Sequence, residues 1–145
     1  DPDSVGIDSK WFQPDNAPAQ WSPIRTDNFW TRQMPWNDYR GTAWYRIKFS
    51  IPTAQQSDAK SMLRQGKLRL FFGAIDGRAR FYLDGKPFAE QLQDPAIMWN
   101  KAFAIEVPEM FDVMQEHELV IQVTKERFAA GIWKPVIMGH VEVPE

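Results

Sequence analysis

At 145 residues, with 43% hydrophobic and 25% charged side chains, the chain has the size and composition of one globular domain that buries a core without staples. Its formal net charge is −2, with 17 basic residues scattered among 19 acidic ones, so there is no positive field to hold nucleic acid or an anionic membrane. The absence of cysteine excludes disulfides and thiolate chemistry, the two His leave any metal site to carboxylates and carbonyls, and no apolar run approaches membrane-spanning length.

The chain opens DPDSVG, without Met or a signal sequence, as expected of a processed product or an excised domain. Residues 1–42 read as an extended, looping segment. Pro and Asp recur there, and Trp11, Trp21 and Trp30 are spaced to pin the segment against a neighbouring sheet. Asp1, Asp3 and Asp8 are hard oxygen ligands of the kind a structural calcium ion takes, but nothing in their spacing fixes a geometry and no cofactor is expected.

Strand signals begin at Ala43. Ala43, Tyr45, Ile47, Phe49 and Ile51 alternate with Trp44, Arg46, Lys48 and Ser50, the period of a half-buried strand, closed by Pro52. TAQQSDAKSMLRQG is a long connection or a short helix. Leu68, Leu70 and Phe72 then share one face, and Ala79, Phe81 and Leu83 another. Asp76-Gly77 and Asp84-Gly85 are turn signals, because both residue types tolerate positive φ, and together they predict a β-meander.

Phe103, Ile105 and Val107 mark a further strand, and PEMFDVMQ suits one or two helical turns. Leu119, Ile121 and Val123 share the face of the next strand, and VIMGHVEV is the last. Seven to nine short strands with no long helix predict an all-β protein of two packed sheets. The unequal connections, long at residues 52–67 and 89–101, favour a jelly-roll β-sandwich over an up-and-down barrel.

Three motifs in order carry a family resemblance: DYRGTAWYRIKFSIP, LRLFFGAIDGRARFYLDGK and AAGIWKPV. The chain from about residue 36 to 137 resembles the sugar-binding jelly-roll domain of glycoside hydrolase family 2, a galactose-binding-domain-like β-sandwich. WSPIRTDNFW is similar to that family's approach to its first strand. Asp84 stands where the family more often has Asn, and Ala130 where it has the first Gly of G-G-[IV]-W. The resemblance implies a single jelly-roll domain over residues 1–145, with residues 1–42 packed on the sandwich. It also implies an accessory role in a larger bacterial polysaccharide-degrading enzyme, secreted, periplasmic or at the cell surface. The family's catalytic carboxylates lie in a separate barrel, so the resemblance carries no catalytic residue onto this chain.

The residues themselves agree that the domain is no enzyme. Glycoside hydrolysis needs two carboxylates about 5–10 Å apart. Asp76 and Asp84 are accounted for by turns and Glu106 by a solvent-facing strand position. No nucleophile elbow, triad spacing, phosphate loop or zinc motif occurs.

Sugar binding is the alternative use of such residues. A pyranose presents an apolar C–H face and a rim of hydroxyls, which proteins meet with aromatic platforms and planar hydrogen-bonding groups. Three loop clusters have that composition: Trp36, Asn37, Asp38 and Arg40; Met98, Trp99, Asn100 and Lys101; and Glu126, Arg127, Phe128, Trp133 and Lys134. Trp36 and Trp99 are the expected platforms, with Asp38, Arg40, Asn100 and Arg127 reading hydroxyl or acidic groups. Trp133 is divided between fold and site. The family resemblance implies that Tyr39, Gly41, Trp44, Tyr45 and Arg46 hold the fold, the Tyr and Trp by packing and Arg46 by pairing with a core carboxylate. The expected partners are a polysaccharide or oligosaccharide and a neighbouring catalytic domain of the parent chain. The alternative is a structural jelly roll that buttresses or completes a neighbouring active site without binding glycan itself.

Overall fold

The computed structural model describes residues 1–140. Among them run nine strands: β1 (Gly41–Phe49), β2 (Arg69–Phe72), β3 (Ile75–Asp76), β4 (Arg78–Leu83), β5 (Lys86–Gln91), β6 (Phe103–Glu106), β7 (His117–Lys125), β8 (Gly131–Ile132) and β9 (Val136–Gly139). Two short helices, α1 (Gln56–Arg64) and α2 (Pro95–Met98), lie in the long connections. The strand expected over VIMGHVEV is formed by its first four residues, while residues 141–143 lie outside the described ones.

All pairing is antiparallel. One sheet has the order β1-β7-β4-β5, a second β6-β2-β9, and β3 pairs with β8 in a small ladder. The sheets face one another through aromatic rings: Phe81 of β4 lies 5.0 Å from Phe72 of β2 and 6.2 Å from Phe103 of β6. Leu68, Leu70 and Phe72, then Ala79, Phe81 and Leu83, then Leu119, Ile121 and Val123 are all buried, as their alternation requires. Each such Leu, Ile or Phe contributes about 1.5–3 kcal/mol by leaving water. The antiparallel β-sandwich read from the sequence is the fold observed.

Alternation fails where a second layer covers the outer face of the four-stranded sheet. Val120 and Tyr82 are buried although they point away from the other sheet, because residues 1–16 lie across them. Phe12 stacks on Tyr82 at 4.4 Å, and Trp11 meets Trp44 edge-on at 6.2 Å. Arg46 pairs with Glu118 and donates to the Trp11 carbonyl, tying β1, β7 and the N-terminal segment together. Trp30 is fully buried, Trp11 half-buried, and Trp21 is 39% exposed above the Arg46 guanidinium.

Several local expectations are corrected. Only Asp84-Gly85 makes a hairpin, joining β4 to β5 with φ of 50° and 79°. Asp76-Gly77 instead carries the chain from one sheet to the other, and Asp76 is buried against Lys125 rather than left in a turn. The first strand begins at Gly41, and Ile47 is 57% exposed on its inward face, because it lines a hollow between the free edges of β1 and β9. Residues 108–115 form turns and no helix.

The register decides which loops meet. Gly41 pairs with Lys125, Arg78 with Thr124, Ala79 with Gln91, and Phe72 with both Phe103 and Val136. Residues 73–77 join the end of β2 directly to the start of β4, so these strand ends lie together. The segments 28–40, 92–102 and 126–135 therefore all emerge at one end of the sandwich.

Candidate functional site

That end carries all seven residues singled out in the sequence. Trp99 follows α2, a helix started by Pro95 and capped by the Asp94 carboxylate, which accepts from the Ala96 N–H at 2.9 Å. Trp133 follows β8. The local chain there admits only glycine at position 131, where φ is 106° and a Cβ would sit 2.5 Å from the Tyr45 hydroxyl and 2.8 Å from the Trp30 ring. Tyr45 and Trp30 fix this corner. The Ile132 N–H donates to the Tyr45 hydroxyl at 3.2 Å, and the Trp30 N–H donates to the Ala130 carbonyl at 2.9 Å. Burial pushes the Tyr45 phenol up to about 12.

On this support the rings form a ladder. Phe29, itself buried, stacks on Trp133 at 4.7 Å, and Trp133 stacks on Trp99 at 6.0 Å with planes 15° apart. The Trp133 indole N–H donates to the Trp99 carbonyl at 2.7 Å. Arg32 lies 5.5 Å over the Phe29 ring. The Lys134 ammonium sits 4.6 Å over Trp133 and donates to the Asn100 side-chain oxygen at 2.6 Å. The ladder thus runs from a core residue to Trp99, which is 44% exposed, with an ammonium and an amide beside it. A half-exposed indole held rigidly by its neighbours, with polar groups at its rim, suits the C–H face and hydroxyls of a sugar.

The structure joins Trp99, Asn100 and Trp133 in one contact network and leaves the other four apart from it. Trp36 is half-buried and packs on the core, where it lines a hollow of about 380 Å³. Its ring was expected in solvent, but the Trp36 N–H bonds back to the Gln33 carbonyl and the turn folds the ring inward. Arg40 donates to the carbonyls of Asn37 and Tyr39, at 3.2 and 2.9 Å, and so braces its own loop. Asp38 and Arg127 are exposed, with no hydrogen bond among the described residues. Phe29 and Arg32 were missed, since NFWTR carries no periodicity and its role depends on a loop about a hundred residues away.

The Lys125–Asp76 ion pair lies at the same end and ties the β3–β8 ladder to the end of β7. Among the described residues, no three His, Cys, Asp or Glu side chains come close enough together to hold a metal ion. The Asp1 carboxylate accepts from the Val5 and Gly6 N–H groups and the Trp44 indole.

No protein-family model and no curated protein sequence matches the chain. Solved structures do. A β-glucuronidase of Ruminococcus gnavus aligns with 86% of this chain at 20% identity and a TM-score of 0.66. A β-glucuronidase of the same organism, in complex with D-glucuronic acid, aligns with 91% at 18% identity and a TM-score of 0.68. The chain spans only 19% and 25% of the length of those two enzymes. At such identity the likeness shows the fold: an antiparallel β-sandwich like a part of each of those enzymes, as the family 2 resemblance implied.

Proposed function

We propose that this chain is a non-catalytic accessory domain of a larger carbohydrate-active enzyme and binds a polysaccharide or oligosaccharide at its loop end. The Phe29–Trp133–Trp99 ladder carries this reading. Its outermost ring is half-exposed, its inner ring is buried, and Lys134 and Asn100 are already oriented beside it. Such preorganisation means that little side-chain entropy is lost when a sugar lands. The larger size of the matched enzymes supports the accessory role.

A second reading is favoured by a separate observation at the same end. Met34 is 78% exposed and Phe128 80% exposed, the latter held at a φ of 64°, and Leu92 and Ile97 are also exposed. Apolar side chains in such number suit a neighbouring domain of the parent chain that covers them. Affinity electrophoresis through neutral and acidic polysaccharides separates the two readings. Retardation by one polysaccharide class supports glycan binding. Free migration through all of them leaves the docking role.

A further inference from the structure

Residues 17–24 cross the free edge of β1 without a single hydrogen bond, backbone or side-chain, among the described residues. Both flanks are fixed. Upstream, Arg46 holds the Trp11 carbonyl and Phe12 stacks on Tyr82. Downstream, the Gln33 side chain accepts from the Arg25 N–H and donates to the carbonyls of Arg25 and Asn28. Between these anchors the segment rests on packing alone, chiefly Trp21 over Arg46 and Ile24 against the core. A stretch with no hydrogen bonds opens at low free-energy cost.

Beneath it lies the hollow of about 380 Å³, which continues into one of about 600 Å³ along β1, the two sharing Trp21, Ser22, Ile24, Trp44 and Tyr45. The smaller hollow has the volume of a small-ligand site. Five tryptophans and two tyrosines are among the fourteen residues on its wall, and the indole N–H groups of Trp11, Trp21 and Trp36 have no partner among the described residues. Gln20 and Ser22 add neutral polar groups. Among the described residues the charged groups on its wall belong to Asp1: the carboxylate accepts three hydrogen bonds, and the α-ammonium donates to the Thr42 carbonyl at 2.9 Å and to the Tyr39 hydroxyl. Arg46, on the wall of the larger hollow, is paired with Glu118.

We propose that this hollow is a second ligand site, closed by residues 17–24 as a strap, and that it takes a neutral pyranose ring. Aromatic faces meet the C–H face, and unengaged neutral donors meet the hydroxyls. The lack of an uncommitted cation disfavours a uronic or sulfated sugar. The site is built without Trp99 or Trp133 and does not depend on the ladder.

The test is a titration of the chain labelled with ¹⁵N at tryptophan, reading the indole N–H resonances. The probes are methyl β-glucopyranoside, methyl β-galactopyranoside, methyl β-xylopyranoside and sodium glucuronate. The expected result is a saturable shift of the Trp11, Trp21 and Trp36 indoles with a neutral pyranoside, unchanged in Trp99→Ala. Binding should be at least about tenfold weaker in Trp21→Ala, with the melting temperature of that variant read alongside because the 39% exposed ring also packs the strap on Arg46. The amides of residues 20–24 should exchange more slowly at saturation. The proposal is overturned if these indoles stay still in every neutral pyranoside, if glucuronate moves them equally, or if Trp99→Ala abolishes the shift.

Discussion

The Trp133 indole N–H donates to the Trp99 carbonyl at 2.7 Å while the two rings lie parallel within 15°. One side chain thus fixes both the backbone and the ring of a residue 34 positions earlier in the chain. Trp133→Phe keeps a ring for stacking but removes the donor. It is expected to cost about 1 kcal/mol of stability and to loosen the Trp99 ring, read as broadening of its side-chain resonances. A Trp99 spectrum unchanged in that variant would show that stacking alone holds the ring.

The Lys125–Asp76 pair is 15% and 7% exposed and anchors the ladder strand β3. Removing one partner of such a pair leaves a buried charge. Lys125→Met is expected to destabilise by roughly 3–5 kcal/mol, and Asp76→Leu added to it to recover much of the loss. Urea denaturation of the single and double variants checks this.

Tyr45 supplies a pH dependence at the alkaline end. Its folded-state value is raised to about 12 from 10.0, so the stabilisation is fully present below pH 10 and is lost as pH rises towards 12. Over that window unfolding free energy should fall by roughly 3 kcal/mol from this group. Tyr45→Phe flattens the fall, and is itself less stable by about 1–3 kcal/mol because the Ile132 N–H loses its acceptor.

Gly131→Ala should be costly twice over, through the positive φ of 106° and through contact with Tyr45 and Trp30. A loss of about 3 kcal/mol or more is expected by thermal denaturation. Gly66→Ala serves as the contrast. It also has positive φ, but its Cβ meets nothing within 4 Å, so its loss should be nearer 1 kcal/mol.

The two DG dipeptides show what a local pattern does and does not reveal. Asp84-Gly85 was legible as a hairpin, because both residues take the left-handed conformation that a tight turn requires. Asp76-Gly77 has the same letters, yet Gly77 is glycine because a Cβ there would lie 2.7 Å from Val123, and Asp76 is Asp for the sake of Lys125. Both reasons sit about 50 residues away. The alternating strands and the sandwich were legible because burial against the opposite sheet has a period of two. Ile47 broke that period because no strand covers the edge where it lies.

The site was legible in the same partial way. Loop composition singled out Trp99, Asn100 and Trp133, but only the register brings them into contact. The same composition singled out Trp36 and Arg40, which the fold turns inward or back on their own loop. Phe29, the buried foot of the ladder, had no signal beyond being aromatic.

The most direct test of a saccharide platform at the loop end is affinity electrophoresis of the unsubstituted 145-residue chain beside its Trp99→Ala variant, through neutral and acidic polysaccharides. A platform there retards the unsubstituted chain in one polysaccharide class, and Trp99→Ala binds at least about tenfold more weakly, roughly 1.4 kcal/mol, with its melting temperature nearly unchanged. Equal migration of the two proteins in every polysaccharide would contradict it.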